Sequence, residues 1–204
     1  MKTSAHYVPT LTFDADTHTY RLDGVVFPSV TQILKEVGMV DFSGIDPHVL
    51  EKAAERGTYV HKCCELLFLN DLDIDAIDPE SVGYVDAFLK FMKEQCGPDG
   101  FRILEMEKIV FHRVLRYAGT LDILAERGKE RWIIDIKTGS SQISYALQTA
   151  AYENCLSGPH KRACLFLCPD GEYLLHPYTD CNDMRVFQSC VSLYWWKMNA
   201  KGKK

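Results

Sequence analysis

The stretch GTLDILAERGKERWIIDIKTG, residues 119–139, decides how the chain is read. Two apolar runs, Leu121–Ala125 and Trp132–Ile136, flank Arg127-Gly128-Lys129-Glu130, which reads as a β-hairpin turning near Gly128. Each run carries an aspartate, Asp122 and Asp135, and Lys137 follows the second. A charge in a core strand is costly unless it is paired or holds a metal. Side chains alternate along a strand, so Asp135 and Lys137 share one face, while Ile134 and Ile136 share the other. Pairing the runs about Gly128 brings Asp122 beside Asp135 at one end of the hairpin. Two carboxylates that close repel each other unless a cation lies between them. Oxygen-rich sites suit magnesium or manganese. On the hairpin alone, a structural Asp–Lys salt bridge is the competing explanation.

Two helical pairs bear on that choice. Gln148 and Tyr152 stand four apart in SYALQTAAYENCLS and so present an amide and a phenol on one face. His61 and Glu65 are also four apart, in HVLEKAAERGTYVHKCCELLFL. A zinc site through this pair is less attractive, because no further His or Cys ligands recur at helpful spacing. Either pair, taken singly, fits an ordinary structural role.

The remainder of the chain sets bounds. At 204 residues it suits one domain, and 47% hydrophobic content can supply a core. The net charge of -5 argues against coating nucleic acid through bulk basicity, though not against an enzyme that acts on it. No apolar run approaches the roughly 18–20 residues that span a bilayer. Met1–Leu11 lacks a basic segment followed by an apolar one, so a cytoplasmic location, away from membranes, is expected. The basic ending KMNAKGKK reads as a solvated, disordered tail. Eight cysteines without a CxxC read as reduced thiols, and Cys164, Phe166 and Cys168 alternate as core residues of a strand.

Periodicity predicts the elements in order. LTFDADTHTYRLDGVVF suggests a hairpin with a turn at Asp23-Gly24. PSVTQILKEVG suggests a helix capped by Ser29 and stopped at Gly38. The next helix opens at Asp46-Pro47 and is expected to break or pack closely at Gly57. DLDIDAIDPES lacks the glycine and glutamate of a calcium loop and reads as a solvated connection. VGYVDAFLKFMKEQCG suggests a helix buried along Val85, Phe88, Leu89 and Met92. RILEMEKIVFH reads as a strand, RACLFLCPDGEYLLHPY as a hairpin turned at Pro169-Asp170-Gly171, and Asp183–Met198 as a closing helix. The sum is an α/β protein with a central mixed β-sheet flanked by helices.

YAGTLDIL, IIDIKTG and ALQTAAYE, in that order, resemble the core of the PD-(D/E)XK nuclease superfamily, in particular its RecB-like, phage-exonuclease-like branch, which includes the mitochondrial genome maintenance exonuclease. ERGTYVHKCCE, with a glycine four residues before the histidine, and FPSVTQIL add to the likeness, which spans about residues 27–153 of a single nuclease domain. The resemblance implies a restriction-endonuclease-like core. It implies His61, Asp122, Asp135 and the Ile136 carbonyl as metal ligands, with Mg2+ as the ion and Mn2+ as substitute. Lys137 would orient or activate the attacking water and neutralise charge in the transition state, helped by Gln148 and Tyr152. Glu107 would add an outer carboxylate, Glu105 competes for that place, and Glu65 is a further candidate. One subset of the family holds an iron-sulfur cluster; the cysteine positions here depart from its pattern, and no cluster is expected. The implied activity is a metal-dependent DNA exonuclease working from free ends in recombination, repair or phage DNA processing. A recombination or annealing-protein partner and a homo-oligomer both accord with such a role. A structure-specific endonuclease and a non-catalytic DNA-binding subunit are the alternatives.

Overall fold

A computed structural model describes residues 10–14 and 17–202. The first nine residues, most of the segment read for a leader, lie outside these, as do Ala15, Asp16, Lys203 and Lys204. Strands β1 (Leu11–Asp14), β2 (Thr19–Leu22) and β3 (Val25–Phe27) form a small antiparallel sheet, with Asp23 and Gly24 both at positive φ in the tight β2–β3 turn. Helix α1 (Val30–Glu36) follows, its Ser29 cap completed by a reciprocal bond from Gln32, as a capping box requires.

Helix α2 (Pro47–Phe68) starts where Asp46 accepts from the His48 N–H, and it runs through Gly57 without a break. The acidic connection carries one 3-10 turn, Ile74–Ala76, before α3 (Val82–Gln95). On α3 the buried residues are Tyr84, Val85, Ala87, Phe88 and Phe91, whereas Leu89 is 40% exposed. The expected stripe was therefore rotated by about one position. Helix α2 on one side and the main sheet on the other flank this helix, so α3 buries a wider arc than a single 3–4 repeat marks out.

Five strands then build the main sheet: β4 (Arg102–His112), β5 (Tyr117–Arg127), β6 (Glu130–Lys137), β7 (Lys161–Leu167) and β8 (Tyr173–Tyr178), in that spatial order. Only β6 and β7 run parallel, and α4 (Ser144–Glu153) connects them. A parallel pair needs such a crossover, whereas the β5–β6 hairpin closes through Gly128 and Lys129, with Gly128 at φ +61. Helix α5 (Asn182–Lys201) ends the described chain. It carries Lys197–Lys201 of the expected disordered tail as regular helix, because Lys197 and Lys201 bind Glu36 at the end of α1.

The sheet is covered on both faces. Ile33, Leu121, Ile133, Leu147 and Phe187 join α1, α4 and α5 on one side. Val60, Phe88, Phe91, Ile123, Ile134 and Leu165 join α2 and α3 on the other. The result is α/β, a mixed five-stranded sheet between helices. Among the described residues no helix is long and apolar enough to cross a membrane.

Candidate metal-dependent active site

The β5–β6 ladder runs from Arg127↔Glu130 to Ile123↔Ile134 and goes no further. Beyond it, β5 stays paired to β4 and β6 stays paired to β7, so the sheet forks between two strands that are each held elsewhere. Asp122 and Asp135 are the first residues past the fork. The Ile136 N–H, which has left the ladder, donates instead to Asp122 Oδ2. A buried donor must find an acceptor, and here a carboxylate supplies it, which fixes the aspartate in place.

On β6 the alternation turns Asp135 and Lys137 toward α4. Lys137 Nζ lies 2.6 Å from Asp135 Oδ2 and donates to Gln148 Oε1 at 3.1 Å. Gln148 Nε2 donates in turn to the Tyr152 hydroxyl at 2.9 Å. The Tyr145 ring faces the ammonium, 4.5 Å from centroid to Nζ. Carboxylate, ammonium, amide and phenol form one relay that holds the lysine at a single orientation.

From the opposite side comes α2. His61 Nδ1 sits 3.4 Å from Asp122 Oδ1 and 3.7 Å from Glu107 Oε1, while its Nε2 lies 3.1 Å from the Ile136 carbonyl oxygen. Ligand atoms of His61, Glu107 and Asp122 all fall within 4.8 Å of one another, close enough for one cation to touch all three. Glu107 takes φ +50, a left-handed backbone that costs a non-glycine residue of order 1 kcal/mol or more. Its Oε1 is buried and has no hydrogen-bond partner in the structure. A strained backbone that delivers an unsatisfied carboxylate oxygen into a half-buried cluster is the mark of a site built for something further.

Charge follows from that crowding. Burial opposes ionisation of His61, yet Asp122 and Glu107 outweigh it and raise the imidazole to about 10. Burial also disfavours the Asp122 carboxylate, but His61, Lys137 and the Ile136 N–H together hold it below its ordinary value. Burial, with Asp122 nearby, pushes Asp135 up to about 6 despite the ion pair to Lys137. Lys137 is itself held charged, its burial overcome by Asp135 and Asp122. Glu107 is raised, mainly by burial. Three carboxylates thus face two cations.

Of the residues singled out from the sequence, His61, Asp122, Ile136 and Glu107 meet at one point, and Asp135, Lys137, Gln148 and Tyr152 meet beside it. Asp135 is engaged by Lys137, and the Ile136 carbonyl lies against His61 Nε2. Glu105 is tied to Lys108, and Glu65 pairs with Lys62 at 2.7 Å, although the Glu65 charge still reaches Glu107 and helps to raise it. Two neighbours went unrecognised in the sequence. Tyr145 precedes Gln148 by three and Tyr152 by seven, a spacing that could have revealed it. Cys164, read as plain core, has its Sγ 3.8 Å from Asp135 Oδ2, and only the β6–β7 register brings them together.

No family model matches the sequence, and neither does any curated protein. Among solved structures, the chain is similar to a crystal structure of SSO0001, at 16% identity and a TM-score of 0.28, over 69% of this chain and 71% of that one. So loose a likeness carries no argument.

Proposed function

We propose that the chain is a metal-dependent DNA exonuclease with a restriction-endonuclease-like core of the PD-(D/E)XK kind. The observation that carries this reading is the fork: Asp122, Asp135 and Lys137 lie where two strands part, with His61 and Glu107 closing the group. A plain salt bridge explains Asp135 and Lys137, but it leaves Glu107 on a strained backbone, its buried Oε1 without a hydrogen bond and facing only His61 Nδ1 at 3.7 Å. That orphan oxygen, in a set dominated by carboxylates, fits a hard divalent cation such as Mg2+ or Mn2+.

His61, Glu107 and Asp122 would hold the ion, with Asp135 and the Ile136 carbonyl at its border. Bound there, it supplies a Lewis acid beside the scissile phosphate and makes a nearby water more acidic. Everything else falls to the chain. Lys137, charged and fixed by Asp135 and Gln148, aims its ammonium at the phosphate, where it offsets developing negative charge and orients the attacking water. Tyr152 keeps the Gln148 amide turned so that its oxygen, not its nitrogen, meets the lysine. The His61 Nε2 contact with a backbone carbonyl leaves Nδ1 facing the carboxylates, as a metal-binding histidine requires.

The test uses end-labelled linear duplex and a covalently closed circle of the same sequence, incubated with Mg2+. Release of label from the linear form while the circle survives is expected. Equal cutting of both would favour a structure-specific endonuclease.

A further inference from the structure

The turn between β5 and β6 lies beside the connection from α4 to β7, because β6 and β7 run parallel and pair Trp132 with Lys161 near their starts. Together they line a cleft of about 520 Å3, where Lys129, Arg131 and Lys161 face a single carboxylate, Glu130. Lys161 lies 3.7 Å from Glu130, while Lys129 and Arg131 have no ion pair among the described residues. Positive charge is therefore in excess here, on a chain whose net charge is -5. Such a concentration of one sign in a concave place attracts an anion.

One wall of the cleft is a buried side chain. His160 is only 8% exposed, although the three residues before it are all exposed. Gly158, at φ +84, turns its carbonyl to accept from His160 Nδ1 at 3.0 Å, and the His160 backbone N–H donates to Glu153. These bonds fix the ring and leave Nε2 without a partner among the described residues. Glu153 is itself bound by Arg162 at 3.2 Å, so its charge is already met. Burial and the Arg131 charge both disfavour protonation of His160, so the guanidinium acts on the imidazole across the cleft. An anion between them removes that opposition.

Cavities of roughly 300–1,000 Å3 take small ligands. A guanidinium meets phosphate oxygens through paired N–H bonds, and ammonium groups add point charges. Position narrows the source of the phosphate. β6 has 8 residues, so at roughly 3.3 Å per residue the cleft lies about 23 Å from Lys137, at the opposite end of the strand. A nucleic-acid strand led to Lys137 meets the other pole of the sheet.

We infer that this cleft is a second site, which holds the phosphate group of a small phosphate monoester through Arg131, Lys129 and His160. It stands whether or not the chain cuts DNA.

The test is calorimetric titration of the full chain, in EDTA at constant ionic strength, with AMP, inorganic phosphate, adenosine and a short DNA duplex. Wild type is compared with Arg131→Gln, Lys129→Gln and Lys137→Met, each confirmed as folded by circular dichroism; the first two change exposed side chains. AMP and phosphate are expected to bind, AMP with a Kd of about 1 mM or tighter, and adenosine is not. Arg131→Gln and Lys129→Gln should each weaken AMP about tenfold or more, while Lys137→Met leaves it unchanged. No binding of AMP, or equal binding by wild type and both glutamine variants, would overturn the site. Binding lost in Lys137→Met but kept in Arg131→Gln would place the ligand beside Lys137 and overturn it as well. Duplex binding weakened in Arg131→Gln, with AMP not bound, would make the cleft a DNA contact and not a small-ligand site.

Discussion

Glu107 is the residue on which the electrostatics of the site turn. Its carboxylate is raised by burial, carried on a left-handed backbone and left with an unsatisfied oxygen. Without a divalent cation it adds a third negative charge to two cations and opposes folding. Glu107→Gln is therefore expected to hold or raise the melting temperature in EDTA. In the wild type, Mn2+ at 100 times its dissociation constant should add about 2.7 kcal/mol of stability, and in Glu107→Gln most of that gain should vanish. Differential scanning fluorimetry with and without Mn2+ reads both effects. Much of this site was legible in the sequence, because Asp122, Asp135 and Lys137 violate the apolar pattern of their strands. The choice of Glu107 over Glu105 was not legible. Both suit the same alternation, and a bulge between Ile103 and Glu105, together with the turned backbone at Glu107, decides which one faces His61.

Elements were legible where local chemistry punctuates them. Ser29 with Gln32, Asp46 with Pro47, and Gly128 each mark a boundary by a bond or a dihedral that the residue type favours. What local signals omit is the partner. α3 shows this: its helical pattern was plain, but the arc it buries depends on α2, β7 and β8. Phe88→Ala is expected to cost about 3–5 kcal/mol, and Leu89→Ala about 0.5 kcal/mol or less, by urea denaturation. The β5–α4 contact makes a second prediction. Gly119 lies against the ring of Tyr152, so Gly119→Ala should destabilise by about 1–3 kcal/mol and also loosen the Gln148–Lys137 relay. Loss of stability with cleavage undiminished would separate the two effects and show that Tyr152 does not orient the site.

The whole molecule places its candidate site where the sheet changes partners. β5 belongs to an antiparallel meander and β6 begins a parallel crossover, so the fork between them comes from topology that no single segment encodes. Global stability should carry its own pH signature. Burial lowers His112 and His160 below the ordinary histidine value, so the unfolded chain binds more protons on acidification. Their contribution is full above about pH 6.5 and is lost as pH falls below it. His112→Asn keeps an acceptor for the Leu115 N–H and should flatten the fall in melting temperature between about pH 6.5 and 5.5.

The most direct measurement of the central claim is release of label from 5′-end-labelled linear DNA by wild type and Lys137→Met, each with Mg2+ and with EDTA. The account predicts release by the wild type with Mg2+ alone, and a rate at least about 100-fold lower in Lys137→Met under conditions where circular dichroism shows that variant folded. Equal rates for the two proteins, or release undiminished by EDTA, would contradict it.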